Sequence, residues 1–385
     1  MVKSKPKVVI IMPTYKEADN IKKMIPALFS EYFPQIKKAD MHLLVVNDLD
    51  NEGRDDGTGE IVKKAAKKYK NLHIIEEKKQ GLGWAYIRGM KYAQDKLKAD
   101  AVMEMDADFQ HPPRFVKPMV EAYLNGAEYV IGSRYIKGGS VPSEWAAHRK
   151  AISFFGNLFI RLVLLKPKLH DLTTGFRLTR VKGVLDKIDL DNLMEPERFA
   201  YKVDLLYQSI KNSKKTVEVP LEFASRTEEA SKFSMTEMIS TFKVAIILGI
   251  KDKQKFIKFA TVGFIGFIVN FVFLRIFRNM GLSEIIVWAL ATEMAIISNY
   301  LLNNFWTFKS SKISGIGKSL YKFLQFNVTS AGALIIQSIF GPIGVGIVGQ
   351  QYDFIVLALV VGFMVLPYNY FMYNVVIWGD WKLKK

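Results

Sequence analysis

Ala101-Val102-Met103-Glu104-Met105-Asp106-Ala107-Asp108-Phe109-Gln110 is a mostly apolar run that ends in two acids one residue apart. The run reads as a buried strand. Carboxylates just past a strand's end can bring oxygens to one hard divalent cation, and such a cation often completes its shell with substrate phosphates. In an open α/β sheet the carboxyl edge is also where ligands sit. Taken alone, an Asp-x-Asp pair is common and more often marks a solvated acidic turn. Its neighbours decide the matter.

Apolar strand-like runs at 8–12, 43–46, 72–75, 101–105 and 129–131 alternate with helical stretches near 18–29, 60–69, 83–96 and 114–124. Alternation of this kind predicts a mainly parallel sheet covered by helices. The first run ends in Pro13-Thr14-Tyr15-Lys16-Glu17, the second in Asn47-Asp48. Acids past three strand ends therefore converge on one crevice. Glu17 also suits the first turn of a helix, where negative charge is favoured.

The chain has 385 residues, no cysteine and a formal charge of +17. The missing cysteines exclude disulfides and thiolate metal sites. The charge could serve nucleic acid, but its distribution serves a membrane better, and no nucleic-acid partner is expected. Beyond about residue 255 apolar segments dominate, and four spans are expected at 257–278, 285–308, 323–348 and 354–378, each near the length that crosses the hydrocarbon. Lys251, Lys253, Lys255 and Lys258 precede the first. Lys309, Lys312, Lys318 and Lys322 separate the second and third, and Lys382, Lys384 and Lys385 close the chain. That asymmetry puts both termini in the cytosol. The short apolar run after the basic N-terminus reads as a strand rather than a signal peptide. Two amphipathic stretches, 145–165 and 235–250, carry basic residues and suit a bilayer interface, although each could equally be a core-facing helix. Glu293 is an ionisable residue within an expected span, and such residues mark function or helix association.

The ordered set Pro13-Thr14-Tyr15-Lys16-Glu17, Val46-Asn47-Asp48, Gly81-Leu82-Gly83 with Gly89, Asp106-Ala107-Asp108-Phe109-Gln110-His111-Pro112-Pro113 and Gly132-Ser133-Arg134-Tyr135 resembles the family 2 inverting glycosyltransferases. More narrowly it resembles the polyprenyl-phosphate glycosyltransferases, with dolichol-phosphate mannose synthase as the type. Phe259-Ala260-Thr261-Val262-Gly263, Asn270, Glu293, Asn299 and Asn303-Asn304-Phe305-Trp306-Thr307-Phe308 resemble the four-span GtrA-like family. The implied architecture is α/β: a Rossmann-like GT-A catalytic domain with a mainly parallel sheet over 1–233, a juxtamembrane amphipathic linker over 234–255, and an all-α four-helix transmembrane domain over 256–385.

By that resemblance Pro13, Tyr15, Glu17 and Asp48 contact the donor nucleotide. Asp106, Asp108 and Gln110 hold Mg²⁺ or Mn²⁺ and the diphosphate, while Arg226 and Lys232 lie on a loop that closes over it. Ser133, Arg134 and Arg149 meet the acceptor phosphate, and Asp171 with Thr174-Gly175-Phe176-Arg177 matches an acceptor loop. Asp108, Arg134 and Arg149 are then the catalytic set. The implied reaction is inverting transfer of one hexose, mannose from GDP-mannose, to dolichyl or polyprenyl phosphate. UDP-glucose is the alternative donor, and a lipid-linked sugar transporter with a nucleotide-sugar-sensing domain is the alternative class. Expected partners are the nucleotide sugar, the lipid phosphate, the bilayer and other copies of the chain through the transmembrane domain. The expected location is the cell membrane, multi-pass, with the catalytic domain cytosolic.

Three departures stand out. Asn47 precedes Asp48 where the family has a second Asp. The turn over 49–57 is long. Glu229-Ala230 stands where a Gly is common. The Gln-x-x-Arg-Trp signature of processive relatives is absent, which points to single-sugar transfer.

A lipid monophosphate has its second pKa near about 6, so its oxygen arrives anionic and needs no general base. Orientation and charge neutralisation suffice, and guanidinium forks supply both.

Overall fold

The computed structural model describes residues 4–225, 235–281, 284–309, 315–349 and 359–377, with Ile313, Tyr352 and Ile355 besides. The chain divides into two compact units, Met1–Gly249 and Ile250–Lys385.

In the first unit seven strands form one sheet: β1 Lys7–Thr14, β2 Asp40–Leu49, β3 Leu72–Lys78, β4 Ala101–Glu104, β5 Tyr129–Ser133, β6 Arg177–Arg180 and β7 Thr216–Pro220, in the spatial order β3-β2-β1-β4-β6-β5-β7. Six strands run one way, and β6 runs against both its neighbours, β4 and β5. The sheet is mainly parallel, as expected. The expectation held no strand at β6 or β7. β6 is short and bracketed by arginines, yet Arg177, Leu178 and Thr179 are all buried. Its reversed direction comes from pairing between β4 and β5, a tertiary fact.

Alternate side chains of β1 feed two cores. Val8, Ile10 and Met12 pack with Leu43 and Val45 on one face. Val9 and Ile11 pack with Leu44 and Val46 on the other. Strands buried on both faces read as continuous apolar runs for this reason. The helices α1 Ala18–Pro26, α2 Thr58–Ala66, α3 Leu82–Asp95 and α4 Val116–Leu124 cover these faces. Helix α3 lies so close to the sheet that a Cβ on Gly89 would stand 2.4 Å from Ile11 Cγ2.

After β3 the chain crosses back to place β4 on the other side of β1. That reversal opens a crevice beyond the carboxyl ends of β1 and β4, the switch point at which open α/β sheets bind ligands.

Helix α5, Ala147–Val163, helix α6, Tyr201–Asn212, and the start of helix α7, Met235–Asn279, build a third core. Ile160 and Leu164 meet Val244, Ala245 and Leu248 there, over Tyr129 and Ile131. Both amphipathic stretches are thus core-facing on one side. They remain apolar on the other, with Phe154, Phe155, Leu162, Met235 and Ile239 exposed.

In the second unit, α7 is followed by α8 Glu284–Leu302 with a π-helical turn Asn303–Thr307, by α9 Ile316–Val348, and by α10 Leu366–Met372 between π-helical turns Val361–Val365 and Tyr373–Ile377. Phe259, Tyr300, Phe308, Phe326 and Tyr373 form its aromatic core. Asn304 ties down the backbone of Ile313 by donating to its carbonyl at 3.1 Å and accepting from its N–H at 2.8 Å. Among the described residues no helix is long and apolar enough to cross a membrane. This differs from the four uninterrupted spans expected. Lys251, Lys253, Lys255 and Lys258 of α7 and Lys318 and Lys322 of α9 stand ahead of their apolar stretches, and the described part of the last segment is helical in short pieces. Phe264, Phe267, Val328, Ile347 and Phe363 nevertheless face outward.

Candidate active site

A crevice of about 440 Å³ opens at the switch point. Its walls include Pro13, Tyr15, Glu17, Asp48, Asp106, Asp108, Gln110, Arg134 and Arg149. Nine residues expected at the site from separated motifs therefore line one cavity. Ser133 does not: it is fully buried in the sheet behind the wall. Arg226 and Lys232 lie outside the described residues.

The turn after β4 is built by its own side chains. The Asp106 N–H donates to His111 Nδ1 at 3.0 Å. That makes Nδ1 an acceptor and leaves the proton on Nε2. Burial lowers the His111 pKa and keeps the ring neutral, although Asp106 opposes it. His111 is a turn-building residue. Phe109 adopts φ 60°, a left-handed value unusual for an aromatic residue. The reversal lets the Gln110 N–H donate back to Asp108 Oδ1 at 3.1 Å. Tyr86, on α3, donates to Asp106 Oδ1 at 2.7 Å.

Among the described residues no group of three or more His, Asp or Glu side chains is placed to hold a metal ion by itself. Asp106, Asp108 and Gln110 still fit a hard cation. They offer two carboxylates and an amide oxygen, and Mg²⁺-type sites commonly take one or two carboxylates and complete the shell with phosphate and water.

Asp48 sits at the end of β2, where Arg88 Nη2 donates to its Oδ1 at 2.5 Å. Burial raises its carboxyl to about 6, with Arg88 and Lys79 opposing the rise. The Lys79 ammonium lies 3.4 Å from the centre of the Tyr15 ring, a cation–π contact.

Asn47, the departure from the family pattern, has a structural explanation. It is fully buried, accepts from Thr14 Oγ1 at 3.0 Å and donates to Asp55 Oδ2 at 2.8 Å. The same Asp55 oxygen takes the Gly59 N–H at the start of α2. The long turn thus brings its own carboxylate to the strand end. An Asp at 47 would set two carboxylates against each other.

Arg134 is held from below. Its Nε and Nη2 donate to Asp171 Oδ2 and Oδ1 at 2.7 and 2.8 Å, and Nη2 also reaches Thr173 Oγ1 at 2.8 Å. Burial would raise the Asp171 pKa, but the Arg134 charge and hydrogen bonds outweigh it and hold the carboxyl at about 2. Arg149 stacks over Trp145 at 4.0 Å. Both arginines also line a second cavity of about 380 Å³, whose other walls are largely apolar and include Trp145, Ile152, Ile160, Met238 and Phe242. The two cavities share Arg134, Arg149, Thr173 and Phe199.

Sequence reasoning missed Tyr86, Lys79, Glu197 and Lys202 as members of the site. Tyr86 and Lys202 read as helix residues, since their approach to the crevice depends on how α3 and α6 pack. The charged loop 195–198 just ahead of α6 was the one local signal.

A mainly parallel sheet with an acid-lined crevice at its switch point is GT-A-like. Residues 9–186 match the family model for glycosyl transferase family 2, and residues 258–378 match that for the GtrA/DPMS transmembrane domain. A dolichol-phosphate mannosyltransferase of Pyrococcus furiosus is 33% identical over 322 residues, spanning 82% of this chain and 85% of that one. A polyprenol monophosphomannose synthase of Mycolicibacterium smegmatis is 34% identical over 239 residues, 61% of this chain and 84% of its own. Among solved structures, a mannosyltransferase from Pyrobaculum calidifontis in complex with GDP-Man and Mn²⁺ overlaps with a TM-score of 0.39 and 14% identity, covering 79% of this chain and 88% of that one. That overlap is too loose to bear on chemistry. The chain belongs to glycosyl transferase family 2, with the dolichol- and polyprenyl-phosphate mannosyltransferases, and carries a GtrA/DPMS domain after its catalytic unit.

Proposed function

We propose that this protein transfers one mannose from GDP-mannose to a polyprenyl phosphate of the dolichyl class, with inversion at the anomeric carbon. The observation that carries this reading is the joint between the two cavities. An acid-lined polar crevice meets an apolar one at Arg134 and Arg149. A nucleotide diphosphate suits the first, a lipid tail the second, and a phosphate their junction.

The roles follow from placement. Glu17 and Asp48 accept from the nucleoside beside Tyr15 and Pro13. Asp106, Asp108 and Gln110 would hold Mg²⁺ or Mn²⁺, which when bound stabilises the departing diphosphate as a Lewis acid. Arg134 and Arg149 neutralise and orient the acceptor phosphate, whose oxygen attacks the sugar without a base. Because Asp171 engages two of Arg134's nitrogens, Arg134 presents its remaining edge, while Arg149 is the more accessible of the two. Ser133 acts through its backbone position only.

The domain reading extends the same logic. Residues 1–233 form the catalytic domain, 234–255 the linker and 256–385 a membrane-embedded unit with both termini on the cytosolic side. The match to a transmembrane family and the outward apolar side chains support this. Such a unit keeps the enzyme at its lipid substrate, and association of copies through it is a further role.

The test is release of GDP from GDP-mannose by the purified full chain. Release that requires both a divalent metal and added polyprenyl phosphate supports the proposal. Release from UDP-glucose alone would replace the donor. Nucleotide-sugar binding with no transfer would favour a sensing domain.

A further inference from the structure

Lys202 is a buried cation that the roles above leave unused. It stands in the first turn of α6, is 1% exposed, and lines the polar crevice beside Asp106, His111 and Gly175. Its Nζ lies 5.2 Å from the Tyr86 ring centre and 4.7 Å from that of Phe199. A Cβ added to Gly175 would come within 2.3 Å of Nζ, so the ammonium is seated against the backbone of that segment. No ion pair joins Lys202 to a carboxylate among the described residues.

Two aromatic faces soften the cost of burying an ammonium but supply no hydrogen-bond acceptor. Lys carries three N–H donors, and buried charges are ordinarily paired. Glu104 lies nearby in the same interior, with the Tyr201 side chain beside its carboxylate. Arg177 acts on the same carboxylate and Asp106 stands near it, so Lys202 shares these acids with a second cation. A buried ammonium on the wall of a crevice, beside acids suited to a metal, thus has the chemistry of an anion site.

We infer that Lys202 is a donor-binding residue whose ammonium takes a phosphate oxygen of the nucleotide sugar, independently of the metal. The inference rests on the donor reading given above and adds to it a positive charge fixed in the crevice wall. With the metal on one side and Lys202 on the other, the diphosphate is held between two cations. Part of its binding then survives removal of the metal.

Calorimetric titration of the full chain in detergent with GDP, UDP, GMP and guanosine, each with Mn²⁺ and with EDTA, tests this. For the wild type, residual GDP affinity in EDTA is expected. Lys202→Met should weaken GDP at least about tenfold both with and without Mn²⁺ and leave guanosine unchanged. Lys202→Arg should recover part of the loss. Unchanged GDP affinity in a folded Lys202→Met protein overturns the inference while leaving the donor reading intact. If the wild type binds neither GDP nor UDP, the donor reading falls and the inference with it. Should Lys202→Met fail to fold, a structure of the wild type with GDP decides. Nζ within about 3.5 Å of a phosphate oxygen supports the role, and a more distant Nζ rejects it.

Discussion

Arg134 and Asp171 form a buried, doubly hydrogen-bonded pair at the seam between the polar and apolar cavities. The Arg134 N–H also donates to Asp171 Oδ2 at 3.0 Å, and Asn157 donates to Oδ1 at 3.0 Å. Asp171 therefore fixes the guanidinium plane ahead of substrate binding. The arginine motif and the acceptor-loop motif, 37 residues apart, are one unit.

Removing either half strands a charge. Asp171→Ala is expected to cost about 3–5 kcal/mol, because an uncompensated guanidinium remains buried. Thermal melting of the purified full chain measures it. The pH sign also follows. The folded carboxyl titrates at about 2 against 3.8 when free, so its contribution is complete above about pH 4 and lost as pH falls towards 2. A wild-type acid transition no steeper than that of Asp171→Asn would contradict this.

Asp108→Ala should lower turnover at least about a hundredfold, since a lost metal ligand removes several kcal/mol of leaving-group stabilisation. The side chain sits at the crevice wall, so the variant should fold and remain with the membrane fraction. Near-normal turnover would remove Asp108 from the metal's shell.

Tyr86→Phe keeps the buried ring and deletes one donor to Asp106. Partners that orient metal ligands typically govern about 10- to 100-fold in metal affinity. The expected result is a raised Mn²⁺ requirement with turnover at saturating metal largely kept. The Mn²⁺ dependence of GDP release separates this from a folding defect, which saturating metal does not cure.

In the proposed role Asp48 accepts from the nucleoside more strongly when ionised, and burial pushes its carboxyl up to about 6. Donor KM should fall as pH rises through about 6, and Asp48→Asn should flatten that limb. Stability runs the other way. The folded pKa lies above the free value of 3.8, so the contribution of the protonated form is present below about pH 4 and lost as pH rises to 6.

Gly89→Ala should destabilise the catalytic unit by about 1–3 kcal/mol through overpacking against Ile11 and Val46. Chemical denaturation of the full chain measures this. A neutral result would show that α3 can lift from the sheet.

The acids past β1, β2 and β4 are legible in the sequence, because an apolar run followed by Asp or Glu marks a strand's carboxyl end. Their convergence is legible too, since parallel strands put like ends together. Ser133 is misread by adjacency: its neighbour Arg134 faces the crevice, and strand alternation turns Ser133 inward. Asn47 looks like a lost second acid, whereas its amide serves Asp55, a partner supplied by a turn that looks only overlong.

Local pattern alone determined the βα alternation, the acids at the strand ends, the lysine asymmetry and the change of character near residue 255. Those features depend on periodicity and charge over a few residues. Tertiary structure decided the reversed β6 and the Arg134–Asp171 pair. It also decided the placement of Tyr86 behind Asp106 and of Lys202 at the crevice, and the joining of the two cavities. Each arises from packing between residues tens of positions apart, where burial makes an unpaired charge too costly and so dictates which partners meet.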